Sequence, residues 1–469
     1  MPPLRAFAPN NTTTKKMTLT NEPVAAARTP LPDIDAWFSN LPPDGARTLR
    51  LLGELLAGTA KMSQNAETAD RFTARSLGVE HEGRLIDEER ELSAVAALTT
   101  GLALGEWIVK HAAEVGPGDH THPPAYTQTE VGDTTYRHPR LLRAAFPVGT
   151  LLPEAACVVH VDLRGRFGSS PEVAVWVRRE HQDAARTVLD RLAARATELN
   201  PYRSRACRAS YNHGLDLAVI DLPATLSRDT VVVSPEVWRE IELGVRAVGD
   251  HHKLLNAHGL GARRGVLLVG PPGVGKSAVS AAIANEVVGK FTVIYVEAEA
   301  GERVLTAVVE EAQRLGGPVL LVLEDVDLWC RDRGRGNSAG LSELLQAMDI
   351  AADARILTLA STNDSATLDK AAIRTGRFDS VVVVDYPNHI AAARILATLL
   401  DGIPGSTGVD TAAVAAALPN QTSGSDLREI VRRAVLTAGV ESQLSTAALL
   451  AEVGSGRYRA ELPGAGTYL

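Results

Sequence analysis

Eight consecutive residues, Gly270-Pro271-Pro272-Gly273-Val274-Gly275-Lys276-Ser277, have the types and order that chemistry on a phosphate requires. Glycines let successive backbone N–H groups turn toward a polyphosphate without side-chain clash. Lys276 adds a point charge for the outer phosphates, and Ser277 adds a hydroxyl that can ligate Mg2+. The apolar run 266–269 ahead of the loop predicts a strand, and 277–288 predicts a helix. The N-terminus of that helix aims free amides and the positive end of its dipole at the same point.

Two further stretches carry groups that could act on such a ligand. Residues 319–323 predict a buried strand, and it ends in Glu324-Asp325. One carboxylate of such a pair can hold Mg2+, usually through water, while its neighbour orients or deprotonates an attacking water; Ser277 and Glu324 are the expected metal ligands. Residues 356–360 predict another strand, leading into Ser361-Thr362-Asn363. The Asn363 amide offers donor and acceptor together, so it can meet a terminal phosphate and a water at once. Downstream lie Arg374 and Arg377, whose planar donors suit the spread charge of a phosphoryl-transfer transition state; a pair of structural or solvated arginines is the alternative.

Positioning these groups requires strands and helices in alternation. From 231 onward the order is a short strand at 231–233, a helix over 235–248, the strand and phosphate loop, a strand at 293–296, a helix over 303–315, and the two strands just described. Such alternation predicts a parallel sheet with helices on both faces and ligands beyond the strand C-terminal ends. The residues ahead of it divide into a disordered lead-in (1–30), a helical region (31–116), a Gly/Pro/Thr/His-rich linker (117–140) and a small α/β module (141–223). Within the linker His120 and His122 have a spacing that could serve a metal or simply belong to a solvated loop. Within the module Arg203, Arg205 and Arg208 could meet an acidic partner or line a solvated strand face.

A net charge of -8 over 469 residues argues against a whole-chain nucleic-acid binder. No apolar run reaches bilayer-spanning length and no secretory leader is visible, so a cytoplasmic location without membrane contact is expected. Three widely spaced cysteines, Cys157, Cys207 and Cys330, suit reduced thiols.

The phosphate loop, the acidic strand end, Thr362-Asn363 and Leu368-Asp-Lys-Ala-Ala-Ile-Arg374-Thr-Gly-Arg377-Phe-Asp379 stand in one register that resembles the AAA family of ring-forming ATPases, over about 231–438. The resemblance implies an α/β fold, a P-loop NTPase parallel sheet (231–387) with a C-terminal helical lid (388–452), preceded by the helical region and small module. Four lid helices are expected, the third opening on Ser423-Gly-Ser-Asp426. It also implies ATP and Mg2+ as cofactors, Asn363 as the sensor of the terminal phosphate, and Arg374 and Arg377 acting on ATP held by the adjacent subunit of a ring, usually a hexamer. Remodelling of a protein partner is the expected activity; a nucleotide-gated assembly module with slow turnover is the alternative. The sequence departs from the family by having Glu-Asp where most members have Asp-Glu. It also lacks, at Glu297-Ala-Glu-Ala-Gly-Glu-Arg303, the aromatic step of members that thread polypeptides. Beyond the lid a flexible tail (453–469) ends in Gly466-Thr467-Tyr468-Leu469, which looks like the tails that dock actinobacterial ATPases onto the 20S proteasome core.

Overall fold

The computed structural model describes residues 67–80, 82–164, 170–211, 214–297, 304–330, 349, 353–364, 377–439 and 444–459. All of them belong to the unit Glu67–Leu469. The lead-in and residues 31–66 of the expected helical region, Arg374 and the terminal Gly-Thr-Tyr-Leu lie outside the described residues.

The chain first builds an antiparallel sheet. Helix α1 (Ala69–Ser76), capped by Thr68, is followed by β1 (Leu85–Glu91), α2 (Ala94–Lys110), β2 (Glu114–Gly116), β3 (Ala125–Val131), β4 (Thr134–Phe146), β5 (Cys157–Asp162), β6 (Glu172–Arg178) and α3 (Gln182–Glu198). Strand order is β1-β6-β5-β4-β2, with β3 also on β4. Valines of β5 and β6, with Leu142, Ala144 and Phe146 of β4, form one apolar face. Leu104 and Trp107 of α2 and Val188, Leu189 and Leu192 of α3 cover it. Acidic residues crowd β1, an edge strand, where charge discourages pairing with a foreign strand.

Here the structure corrects the sequence reading. Residues 117–140 are not a linker, because they contain β3 and most of the hairpin joining it to β4. Half-buried Thr127 and Thr129 alternate with exposed Tyr126, Gln128 and Glu130 along β3, and Pro139 is tolerated where the register slips between Ala125 and Tyr126. Nor is 31–116 wholly helical, since β1 and β2 fall within it.

The second sheet continues with β7 (Ala206–Tyr211) and β8 (Leu215–Val219), then α4 (Pro235–Val248), α5 (His252–Ala257), β9 (Arg264–Val269), α6 (Lys276–Val287), β10 (Thr292–Val296), α7 (Val304–Arg314), β11 (Val319–Leu323), α8 (Val326–Cys330), β12 (Ile356–Thr362) and β13 (Ser380–Val383). Its order is β13-β9-β12-β11-β10-β7-β8, parallel from β13 through β7. The hairpin β7–β8 is thus part of this sheet, not of a separate module ending at 223. Cys207 and Ala209 join Ile294 and Val296 in one core, and that shared burial decides the partner. The expected strand at 231–233 is absent: Val231 is buried, but the chain there leads to Ser234, which caps α4 with Pro235 in its first turn. Cys157 and Cys207 are free and buried, and burial pushes both thiols up to about 12, so neither is an activated nucleophile.

Four lid helices follow: α9 (His389–Leu400), α10 (Thr411–Ala416), α11 (Gly424–Ala438) and α12 (Thr446–Ser455). They pack Leu396, Val414, Leu427, Ile430 and Leu449 into their own core. The Ser423–Asp426 capping box forms as expected.

Candidate nucleotide site

Strand β9 is buried along its apolar run and delivers the chain to the loop at the C-terminal rim of the sheet. At that rim Gly270 donates its N–H to the Thr362 carbonyl (3.3 Å), tying the loop to the end of β12. A Cβ at Gly270 would lie 2.0 Å from the Val384 carbonyl oxygen, so no larger residue fits. Gly275, at φ 108, occupies the left-handed region immediately before α6, and open space lies where its side chain would be.

Lys276 is 5% exposed, and burial pulls its ammonium below the usual lysine range although Asp325 and Asp327 act to raise it. Its Nζ donates to the Gly270 and Pro271 carbonyls (both 2.8 Å) and to Asn363 Oδ1 (2.7 Å). Asn363 Nδ2 in turn donates to Asp325 Oδ1 (2.9 Å). One amide therefore links the loop lysine to the acid at the end of β11. Glu324 takes the other direction. Its carboxylate accepts from the Ser277 hydroxyl, and burial holds its pKa above the ordinary glutamate range. Asp325 itself stands at φ 49, an uncommon conformation for a non-glycine residue, with its N–H donated to Ser361 Oγ (3.3 Å). This turn in the backbone sends the two adjacent acids to different partners.

A phosphate and a divalent ion fit these residues. The loop rim is open above Gly275, a buried ammonium sits beneath it, and a hydroxyl and a carboxylate already touch at Ser277 and Glu324, both hard oxygen donors of the kind Mg2+ takes. The lid closes the loop from the opposite side: the Ser425 N–H donates to the Gly273 carbonyl (3.1 Å), and a cavity of about 350 Å³ lies between Pro272, Gly273, Tyr386 and the start of α11.

Arg377 is not brought to this cluster. Asp379 exchanges two hydrogen bonds with Gly265 (2.8 and 3.1 Å), which places the arginine at the start of β9, the end away from the loop. Five residues of strand at ~3.3 Å each separate the two ends by roughly 16 Å, beyond the reach of a side chain. Its guanidinium forms a two-pronged pair with Asp349 (3.0 and 2.9 Å). The three arginines of the earlier cluster reach protein groups: Arg203 donates to the Gly316 carbonyl (3.1 Å), Arg205 to the Val131 carbonyl (3.3 Å), and Arg208 pairs with Glu297 (3.2 Å). His120 lies 3.6 Å from Asp119, and among the described residues no group of three His, Cys, Asp or Glu side chains could hold a metal.

Residue-by-residue reading overlooked Asp327, Ser361 and Ser425. Each acts through the backbone or through another side chain, and only Ser425, in the Ser-Gly-Ser ahead of a helix, had a sequence signal.

Residues 266–386 match the family described as ATPase family associated with various cellular activities (AAA). The chain is 36% identical over 190 residues to the ATP-dependent zinc metalloprotease FtsH of Marinobacter nauticus, a match covering 37% of this chain and 30% of that protein. Identity is 33% over 233 residues to FtsH of Magnetococcus marinus (46% and 34% covered) and 32% over 244 residues to FtsH 1 of Conexibacter woesei (47% and 37% covered). The chain thus spans about a third of the length of these relatives, and the protease named in them is theirs. Among the described residues no helix is long and apolar enough to cross a membrane. Sheet order, phosphate loop and family match agree: residues 266–386 are an AAA ATPase domain, similar to the ATPase part of bacterial FtsH proteins.

Proposed function

We propose that the protein binds Mg-ATP and hydrolyses it within a ring of identical subunits, coupling turnover to the remodelling of a protein partner recruited by residues ahead of the ATPase sheet. The observation that carries this reading is the hydrogen-bonded chain Lys276–Asn363–Asp325, which connects a phosphate cradle to a carboxylate in position to orient water.

Loop amides and Lys276 would hold the phosphates, and Ser277 with Glu324 would hold Mg2+. Bound there, Mg2+ would neutralise charge on the phosphate oxygens. As phosphate takes the ammonium, Asn363 Oδ1 would be released from Lys276, and the second Nδ2 proton would donate to the terminal phosphate while the first keeps Asp325 oriented. Asp325, not Glu324, is then the residue that aligns the water and takes its proton. Arg377, roughly 16 Å along β9 from its own loop, serves the loop of a neighbouring copy.

A second reading is favoured by one feature. Asp325 is a methylene shorter than the glutamate most family members place there, which suits slow turnover and a ring that ATP assembles and hydrolysis releases. Docking on a proteasome core through Thr467–Leu469 is a separate proposal; deleting those three residues abolishes core-particle binding if it holds.

Steady-state ATPase assays across protein concentration test the main reading. Turnover per subunit should rise steeply as the protein assembles and be absent in Lys276→Ala. Equal turnover at monomeric dilution would overturn the shared site.

A further inference from the structure

Beyond the acids at the strand end lies a third, Asp327, in the first turn of α8. It is 1% exposed, and one of its oxygens, Oδ1, accepts from the Thr362 hydroxyl (3.1 Å) and from the Asn363 backbone N–H (3.3 Å). Burying a carboxylate is costly unless donors meet it. Here the donors come from the very residues that end β12 and present Asn363. Thr362, itself fully buried, also reaches forward: its hydroxyl oxygen accepts from the Asp364 N–H (3.1 Å), bracing the turn that follows.

We propose that Asp327 is a positioning residue for hydrolysis: it fixes the backbone at Thr362-Asn363 so that the Asn363 amide stays aimed between Lys276 and Asp325 in the empty site, and between the terminal phosphate and Asp325 once ATP is bound. The amide must reach 2.7 Å to one partner and 2.9 Å to the other, a tolerance that a freely hinged strand end would not hold. Because α8 begins directly after Glu324-Asp325, the same carboxylate also locks the end of β11 to the end of β12. The acid that aligns water and the amide that senses phosphate are thereby kept in one frame. In this role Asp327 acts through Asn363 and not on the phosphate or the water. The inference rests on the ATPase reading above.

The test compares Asp327→Ala, Asp327→Asn and Thr362→Val in the full chain, with ATP affinity measured by equilibrium binding and turnover measured separately. Asp327→Ala should lower kcat by roughly 10- to 100-fold while ATP Kd stays within about threefold, the split expected when an interaction made only in the transition state is lost. Asp327→Asn, which keeps an acceptor oxygen, should restore kcat to within about threefold of wild type, and Thr362→Val should lose about three- to tenfold without a change in affinity. Wild-type kcat in Thr362→Val and Asp327→Ala would overturn the proposal, as would parallel loss of affinity and kcat in Thr362→Val, which remains informative if Asp327→Ala fails to fold. Inactive wild-type protein would overturn the ATPase reading and this one together; active wild type with unimpaired variants overturns only the positioning role.

Discussion

The two sheets use their polar residues differently. In the parallel sheet, loops gather at the C-terminal rim, so residues distant in sequence, Lys276, Asp325 and Asn363, come within hydrogen-bonding distance. In the antiparallel sheet, hairpins alternate between both ends, and polar groups serve as ties. Arg143, on β4, donates to the Ala69 carbonyl and to Thr73 Oγ1 of α1, and Arg164 pairs with Asp162. Connectivity thus assigns chemistry to one sheet and cohesion to the other. The two are joined directly: Ser93, which caps α2, donates to buried Glu311 of α7 at 2.7 Å, and Arg205 reaches the Val131 carbonyl.

Breaking the chemical sheet should leave the cohesive one standing. Lys276→Ala should weaken ATP binding by at least ~100-fold by calorimetry, since a buried cation and its charge-assisted bonds are lost, while hydrogen exchange in β4–β6 stays unchanged. Asp325→Asn should keep ATP binding and reduce turnover by about 100-fold, the size typical of losing a general base; wild-type turnover would move the water-aligning role to Glu324. Arg377→Ala should reduce turnover about 10- to 100-fold in assembled protein with unchanged affinity, and mixing it with Lys276→Ala subunits should restore some activity if sites are shared.

The cohesive sheet should respond to acid. Burial, and then the Arg143 charge, lower His160 from 6.5 to about 4, against the opposite pull of Asp162 and Asp119. The unfolded chain then binds a proton that the folded one refuses between those values. Stability contributed by this site is intact above pH 6.5 and falls by about 3 kcal/mol as pH drops toward 4, with no further loss below. Denaturant titrations of wild type and His160→Gln across that range should show the variant losing the slope. Smallest of all, Ser93→Ala removes a cap and a hydrogen bond to a buried acid, costing about 1–2 kcal/mol by thermal denaturation and loosening the joint without touching ATP affinity.

Legibility followed how local the cause of each element was. The loop from Gly270 to Ser277 and the capping box at Ser423 could be read because each residue's role is set by its immediate neighbours. The strand Ser380–Val383 and the β3–β4 hairpin were missed or misread: the first is four residues long, and the second alternates polar with half-buried residues that resemble loop composition. The membership of Ala206–Tyr211 was hidden because its partner, β10, comes much later in the chain. The part of Asp327 was invisible because an acid two positions beyond an acidic pair gives no hint of the strand that it holds.

The hairpin Ala206–Val219 also fixes where the catalytic half can be severed from the rest. A fragment beginning at Val231 would strip the neighbour from Thr292-Val-Ile-Tyr-Val296, leaving an apolar ribbon of unsatisfied amides open to any passing chain. Such a fragment should precipitate, whereas one beginning at Asn200 retains the protecting pair. In this molecule the boundary between the antiparallel sheet and the nucleotide-binding sheet does not fall at the start of the AAA match, so neither part can be truncated or exchanged there without a piece of the other.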